Sequence, residues 1–188
     1  GLSANDEGEA GSPSHFPMTA GGVKSDPGPR RSTARLAAVQ ALYEMEIAGI
    51  AAADVLDGFL NDRWNLSGQG PGEGEGDEKT AELAEPDGRL MNELVNGAAA
   101  RKSELDQIIG QALSGGWTDG RLENLLRAIL RAGTFELLAL GDIPARTVIS
   151  EYVDVAKAFY QGPETAMVNG VLDTLARQLR AAEMANGR

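Results

Sequence analysis

The chain has 188 residues, a net charge of −11, no cysteine and one histidine, His15. That length fits a single domain with a proper core. The missing thiols exclude disulfides and thiolate metal sites. A lone histidine in a Gly/Ser/Pro-rich stretch gives no basis for a histidine-dependent catalytic or zinc centre. No run approaches the roughly 18 apolar residues that cross a bilayer, and no basic-then-apolar signal opens the sequence. The expected setting is therefore cytoplasmic, with no membrane contact, no metal and no cofactor.

The acidity is unevenly spread. Residues 61–90 hold eight acids against three bases, whereas residues 121–188 balance at eight each. Phosphate binding depends on local positive charge, so the global sign does not exclude nucleic acid. Arg30, Arg31 and Arg35 cluster where low-complexity sequence gives way to periodic sequence.

In chain order, residues 1–29 are rich in Gly, Ser, Pro and acid, and such a composition predicts a disordered tail. From Ser32, the apolar residues Leu36, Val39, Leu42, Tyr43, Met45 and Ile47 approximate the spacing of an amphipathic helix. Ser32 or Thr33 is its predicted N-cap and Gly49 its stop. Val55, Leu56, Phe59 and Leu60 mark a second, short helix. Residues 65–86 are Gly- and Glu-rich with little periodicity, which predicts a flexible acidic insertion. A solvated loop and a partner-selecting loop are both compatible with it.

Periodicity resumes at Asp87. Leu90, Met91, Leu94 and Val95 form one stripe, and Leu105, Ile108, Ile109 and Leu113 another, with Ser103 the predicted cap between them. After Gly115-Gly116-Trp117, Thr118 or Asp119 is expected to cap a helix running to Gly141, apolar nearly all round and hence central. Pro144 opens a further helix to about Tyr160, and Gln161-Gly162-Pro163 turns into a last one. About seven helices and no convincing strand make the fold class all-α. Residues 183–188 are expected to form a C-terminal tail.

Familiar catalytic motifs are missing: there is no GxxxxGK[ST], GxGxxG, HExxH or CxxC, and the serines have no histidine partner. Glu136, inside the apolar helix five positions after Arg131, fits a buried ion pair or a cap on a neighbouring helix. Glu151 fits a solvated helix face or an interhelix hydrogen bond. The arginines at the start of the first helix are unfavourable at the dipole-positive end, which suggests a negatively charged ligand. A basic junction that aids solubility explains them equally well. Asn169-Gly170 lies in a helix interior that disfavours both residues. It fits close helix packing or a ligand contact near the Gly162-Pro163 turn.

Three stretches together resemble the NusB family. They are Ala34-Arg35 with Val39-Gln40-Ala41-Leu42-Tyr43; the run holding Leu130, Arg131, Phe135, Glu136, Leu137, Ile143, Pro144, Ile149, Glu151, Ala156 and Lys157; and Met167-Val168-Asn169-Gly170-Val171-Leu172-Asp173. The likeness covers residues 30–182 apart from the insertion. It implies an all-helical bundle of two packed subdomains with no catalytic activity. It also implies that the protein binds boxA RNA of ribosomal-operon transcripts together with NusE, a small-subunit ribosomal protein, and joins the RNA polymerase antitermination complex. By position, the implied RNA-binding residues are Arg30, Arg31, Arg35, Gly162, Pro163, Thr165, Met167 and Asn169.

Leu126 and Arg127 are expected on an open face that meets the protein partner, and a homodimer is left open. Two departures stand out. Ala166-Met167 replaces a common Lys-Phe pair, and Ser32-Thr33 stands where further basic residues are frequent, so weak RNA binding by the isolated protein is expected. A protein-binding adaptor with little RNA affinity is the alternative. The module is also similar to the N-terminal domain of a ribosomal-RNA cytosine methyltransferase. That enzyme needs a Rossmann-like domain after the module, and the sequence at hand stops at Arg188, so the stand-alone adaptor is the expectation.

Overall fold

A computed structural model describes residues 27–60 and 83–186. Most of the tail and insertion expected at residues 1–29 and 65–86 thus lie outside the described residues. Eight α-helices follow one another: α1 (Pro27–Ala48), α2 (Ala52–Leu60), α3 (Gly88–Ala100), α4 (Lys102–Ala112), α5 (Asn124–Ala139), α6 (Ala145–Phe159), α7 (Pro163–Leu179) and α8 (Ala181–Asn186). No strand occurs among the described residues. The seven expected helices are present, and α8 is additional.

The apolar stripes read from the sequence face one continuous core. Helix α5 is buried without a break from Ala128 to Leu137, as its all-round apolar sequence predicts, and α1, α3, α4, α6 and α7 surround it. Helix α1 contributes mostly small residues, Ala34, Ala37, Ala38 and Ala41, which let its backbone come close to α3 and α5. Helix α3 meets α5 at Gly97, where an added Cβ would lie 2.0 Å from the Phe135 ring. Each large aliphatic side chain removed from water here contributes roughly 1.5–3 kcal/mol.

Several boundaries differ from the sequence reading, each for a visible reason. Helix α1 starts at Pro27, five residues before the expected cap. A proline suits the first helical turn because its missing N–H would be unpaired there anyway. The hydroxyls of Ser32 and Thr33 are engaged elsewhere: Thr33 Oγ1 donates to the Pro29 carbonyl at 2.9 Å and Ser32 Oγ to Glu151 at 2.7 Å. Ser103 does not cap α4 but lies inside it; Arg101 takes the N-cap place without a side-chain hydrogen bond, whereas the start of α3 is capped by Asp87, which accepts from the Leu90 N–H.

Asp119 begins a separate 3-10 turn, Asp119–Arg121, instead of capping α5. Its carboxylate and carbonyl both accept from Arg127, which brackets the turn onto the following helix.

Two features hold the ends of α5 and α6. The Arg180 guanidinium donates to the carbonyls of Glu136 (3.0 Å), Leu137 (2.8 Å) and Leu140 (2.8 Å), and to that of Ile143. It thus satisfies groups that the last turn of α5 leaves open. Glu183 accepts from the Ala145 N–H at 2.6 Å, capping α6, and Met184 is buried. Residues 183–186 are therefore part of the packed structure and not the tail expected from sequence.

Candidate nucleic-acid interface

The basic side chains differ in what they already touch. Arg35 sits in the core with 2 % of its surface exposed. Its Nε donates to both oxygens of Glu136 at 3.1 and 3.0 Å, its Nη2 to Oε1 at 2.6 Å, and Nη1 lies 3.5 Å from Glu151. Tyr152 Oη donates to Glu136 Oε2 at 2.7 Å, which completes a buried group joining α1, α5 and α6. Burial alone would lower the arginine pKa, but the Glu136 carboxylate reverses that and raises it above the ordinary value. Burial, reinforced by Glu136, pushes the Tyr152 phenol well above its ordinary value.

Arg131 is also held inward. It makes a two-pronged pair with Asp106 at 2.7 and 2.8 Å and reaches Glu46 at 3.3 Å, and Lys102 meets Glu46 at 2.8 Å. The hydrogen bond from Lys102 holds the Glu46 carboxyl below its usual range, with the Arg131 charge adding to it.

Among the described residues, only the guanidiniums of Arg30, Arg31 and Arg121 have no carboxylate partner. Arg30 and Arg31 stand side by side on the second turn of α1, half-exposed. Arg31 also lines a polar cleft of about 380 Å³ with Asp87, Arg89, Glu93 and Asp142. Arg35, expected to act with these two, is corrected to a core residue: one turn beyond Arg31, α1 packs against α5 and α6, and there Glu136 meets it.

The second expected group, around the α6–α7 turn, divides by face. Gly162, Pro163, Ala166, Asn169 and Gly170 are exposed and Thr165 is half-buried, while Met167 is buried against the core. Met167 is therefore no solvent-facing platform, and an aromatic ring at this position would face inward in the same way. The residue missed from sequence is Phe159, 40 % exposed at the end of α6, next to Tyr160. Burial pushes the Tyr160 phenol up, and a hydrogen bond to Glu123 adds to the shift. A Cβ added at Gly170 would meet nothing within 4 Å, so close helix packing does not explain the Asn169-Gly170 pair.

Helices α1 and α6 run alongside each other, since Ser32 meets Glu151 and a shared groove joins Leu36 to Val155 and Ala158. The basic pair marks one end of this strip, and Phe159 and the Gly162 turn the other. Thirteen residues of α1 separate Arg30 from Tyr43, which at 1.5 Å per residue is about 20 Å. That length suits a few nucleotides of single strand rather than a point contact.

The expected partner face is also revised. Leu126 is buried in the core, and Arg127 is largely buried and tied to Asp119, so neither forms an open apolar patch. Arg121 remains exposed beside them. No three carboxylates or histidines converge to hold a metal among the described residues, and no helix among them is long and apolar enough to cross a membrane.

Fold and surface together define an all-helical binding scaffold with a basic end, a grooved flank and an exposed aromatic ring. The chain belongs to the NusB family, whose family model matches residues 32–177. A transcription antitermination protein NusB of Rhodopseudomonas palustris is 45 % identical over 159 residues, covering 84 % of this chain and 88 % of the relative. That of Nitrobacter hamburgensis is 48 % identical over 157 residues, covering 83 % and 91 %. Among solved structures, T. maritima NusB superposes with a TM-score of 0.63 at 25 % identity, covering 82 % of this chain and 96 % of that one.

Proposed function

We propose that this protein acts in the cytoplasm as a transcription antitermination factor that binds boxA RNA of ribosomal-operon transcripts jointly with NusE and joins the RNA polymerase antitermination complex. Family membership supports the antitermination role. The observation that carries the RNA site is the adjacent, unpaired Arg30–Arg31 pair on a surface where almost every other cation is matched. Phosphates meet these two arginines, and the strand runs along α1 and α6 toward Phe159, on which a base stacks. Gly162, Pro163, Thr165 and Asn169 line the far end of that path. Arg35 and Met167 support it from beneath. NusE meets the Asp119–Arg127 turn, where Arg121 is free and Arg127 is fixed.

A fluorescent boxA RNA titrated with the protein, alone and with NusE, at two salt concentrations tests this reading. Binding tightens with NusE, and Arg30→Ala/Arg31→Ala weakens it. Removing one phosphate-binding side chain makes the salt slope shallower by about 0.7 for single strands. Absence of specific boxA binding with NusE present overturns the RNA role. The second reading, a protein-binding adaptor with little RNA affinity, is favoured by exposed Ala166, which puts a methyl group where many relatives carry a cation. It predicts NusE binding with a salt slope indifferent to the two arginines.

A further inference from the structure

Between α1 and α6 lies a cavity of about 360 Å³, one helical turn from the free arginines. Leu36, Val155 and Ala158 form its floor, and Leu83 and Ala84, on the segment that leads into α3, form one wall. Leu83 leaves 46 % of its surface exposed there. The mouth carries Ser32, Glu151 and Asp154.

These oxygens are only partly engaged. Ser32 donates to Glu151 Oε2, and Arg35 approaches that same oxygen, while Asp154 meets only Lys157, at 3.9 Å. The buried Arg35 beside Glu151 tempers its charge, so the mouth is rich in acceptors without the full repulsion of two bare carboxylates.

An apolar cavity with carboxylate acceptors in its lining and guanidiniums one turn away is complementary to a nucleotide. The base enters the cavity, its N–H edge meets the carboxylates, and its phosphate meets Arg30 or Arg31. Among the bases, guanine offers two neighbouring donors, N1–H and N2–H, which a carboxylate accepts in a two-pronged pair. Uracil offers only one N–H on that edge. A basic peptide would also satisfy the carboxylates, but it would meet Arg30 and Arg31 at the same mouth, and like charges disfavour it.

We propose that this cavity is a nucleobase subsite that selects guanine in single-stranded RNA, with Asp154 and Glu151 as the specificity-determining acceptors. The inference rests on the RNA-binding reading above and adds a base preference to it.

The test uses the full chain at low salt with fluorescent uridine dodecamers carrying one central guanosine, inosine or adenosine, and the all-uridine strand. Guanosine should bind about tenfold or more tightly than inosine or uridine, the scale of a good two-pronged base contact. Asp154→Asn, at an exposed position, should reduce that ratio toward one while leaving the all-uridine affinity in place. Ala158→Trp, which fills the cavity, should do the same. Melting curves of both variants that match the parent exclude a folding defect. If all strands bind but the guanosine preference is missing or indifferent to both variants, the subsite is overturned and the RNA reading stands. If no strand binds, the subsite is overturned as well, and the RNA reading is decided by the boxA titration with NusE. Protection of Leu36 and Leu83 from exchange by an Arg/Lys-rich peptide and not by guanosine RNA would overturn the inference in favour of a protein segment.

Discussion

Arg35 keeps its charge inside the core because the Glu136 carboxylate accepts from it at 2.6 to 3.1 Å and is itself held by the Tyr152 hydroxyl at 2.7 Å. Removing one member of such a buried pair leaves the other without compensation. Arg35→Ala should therefore cost about 3–5 kcal/mol of stability, read from urea midpoints. The salt slope of RNA binding should stay as in the parent, which separates a structural arginine from a phosphate-binding one. Thr134 poses the opposite case. Its buried hydroxyl has no hydrogen-bond partner among the described residues, so Thr134→Val should stabilise by about 1 kcal/mol in the same assay. A destabilised valine variant would mean that the hydroxyl has a partner after all.

At this scale the sequence was half legible. A glutamate in an apolar helix announces a buried partner, but that partner lies 101 positions away. Nearby Arg131 was the obvious local candidate and serves Asp106 instead. Arg35 misled for a related reason. Three clustered arginines look alike in sequence, and only the helices packed around each position separate two half-exposed cations from one core cation.

Elements were read more securely than residues, because apolar periodicity reports a whole helix at once. Helices α3 and α4 bury residues of their predicted stripes, and α5 its all-round apolar sequence. The start of α1 failed because the capping hydroxyls of Ser32 and Thr33 have another use; the start of α6 was legible from Pro144, but its side-chain cap, Glu183, comes from far along the chain. Helix α8 was missed because six residues are too few to establish a period. Its contribution is testable: deleting residues 183–188 removes both the cap on Ala145 and the buried Met184 side chain. The loss should be about 2–4 kcal/mol by thermal unfolding. The α3–α5 contact makes a second test. Gly97→Ala places a methyl group on the Phe135 ring and should destabilise by about 3 kcal/mol, whereas Gly110→Ala, in open space within α4, should be neutral or mildly stabilising.

At the scale of the whole molecule, the Arg35–Glu136–Tyr152 cluster joins α1, α5 and α6, and this links stability to alkaline pH. Tyr152 has a raised pKa in the folded state, so the fold holds the phenol neutral. Below the ordinary tyrosine value near 10 both states are protonated and the full stability is present. Above it the unfolded chain releases the proton and the folded chain does not, so stability falls as pH rises. Urea midpoints should decline from about pH 10 upward, and Tyr152→Phe should flatten that decline. The groove between α1 and α6 belongs to this scale too. No local motif encodes it, since its walls come from three separate stretches of chain and exist only once the helices are packed.

Arg180 closes over carbonyls up to 44 positions earlier in the chain. During synthesis those oxygens emerge first and wait for their donor. At typical bacterial-to-eukaryotic rates of about 5–20 residues per second, the delay is on the order of two to nine seconds. For that interval the end of α5 is satisfied only by water, and the loop into α6 has no anchor. A nascent chain stalled with Leu137–Ile143 outside the ribosome and Arg180 still inside it should therefore expose that corner to proteolysis, and extension until Arg180 emerges should close it.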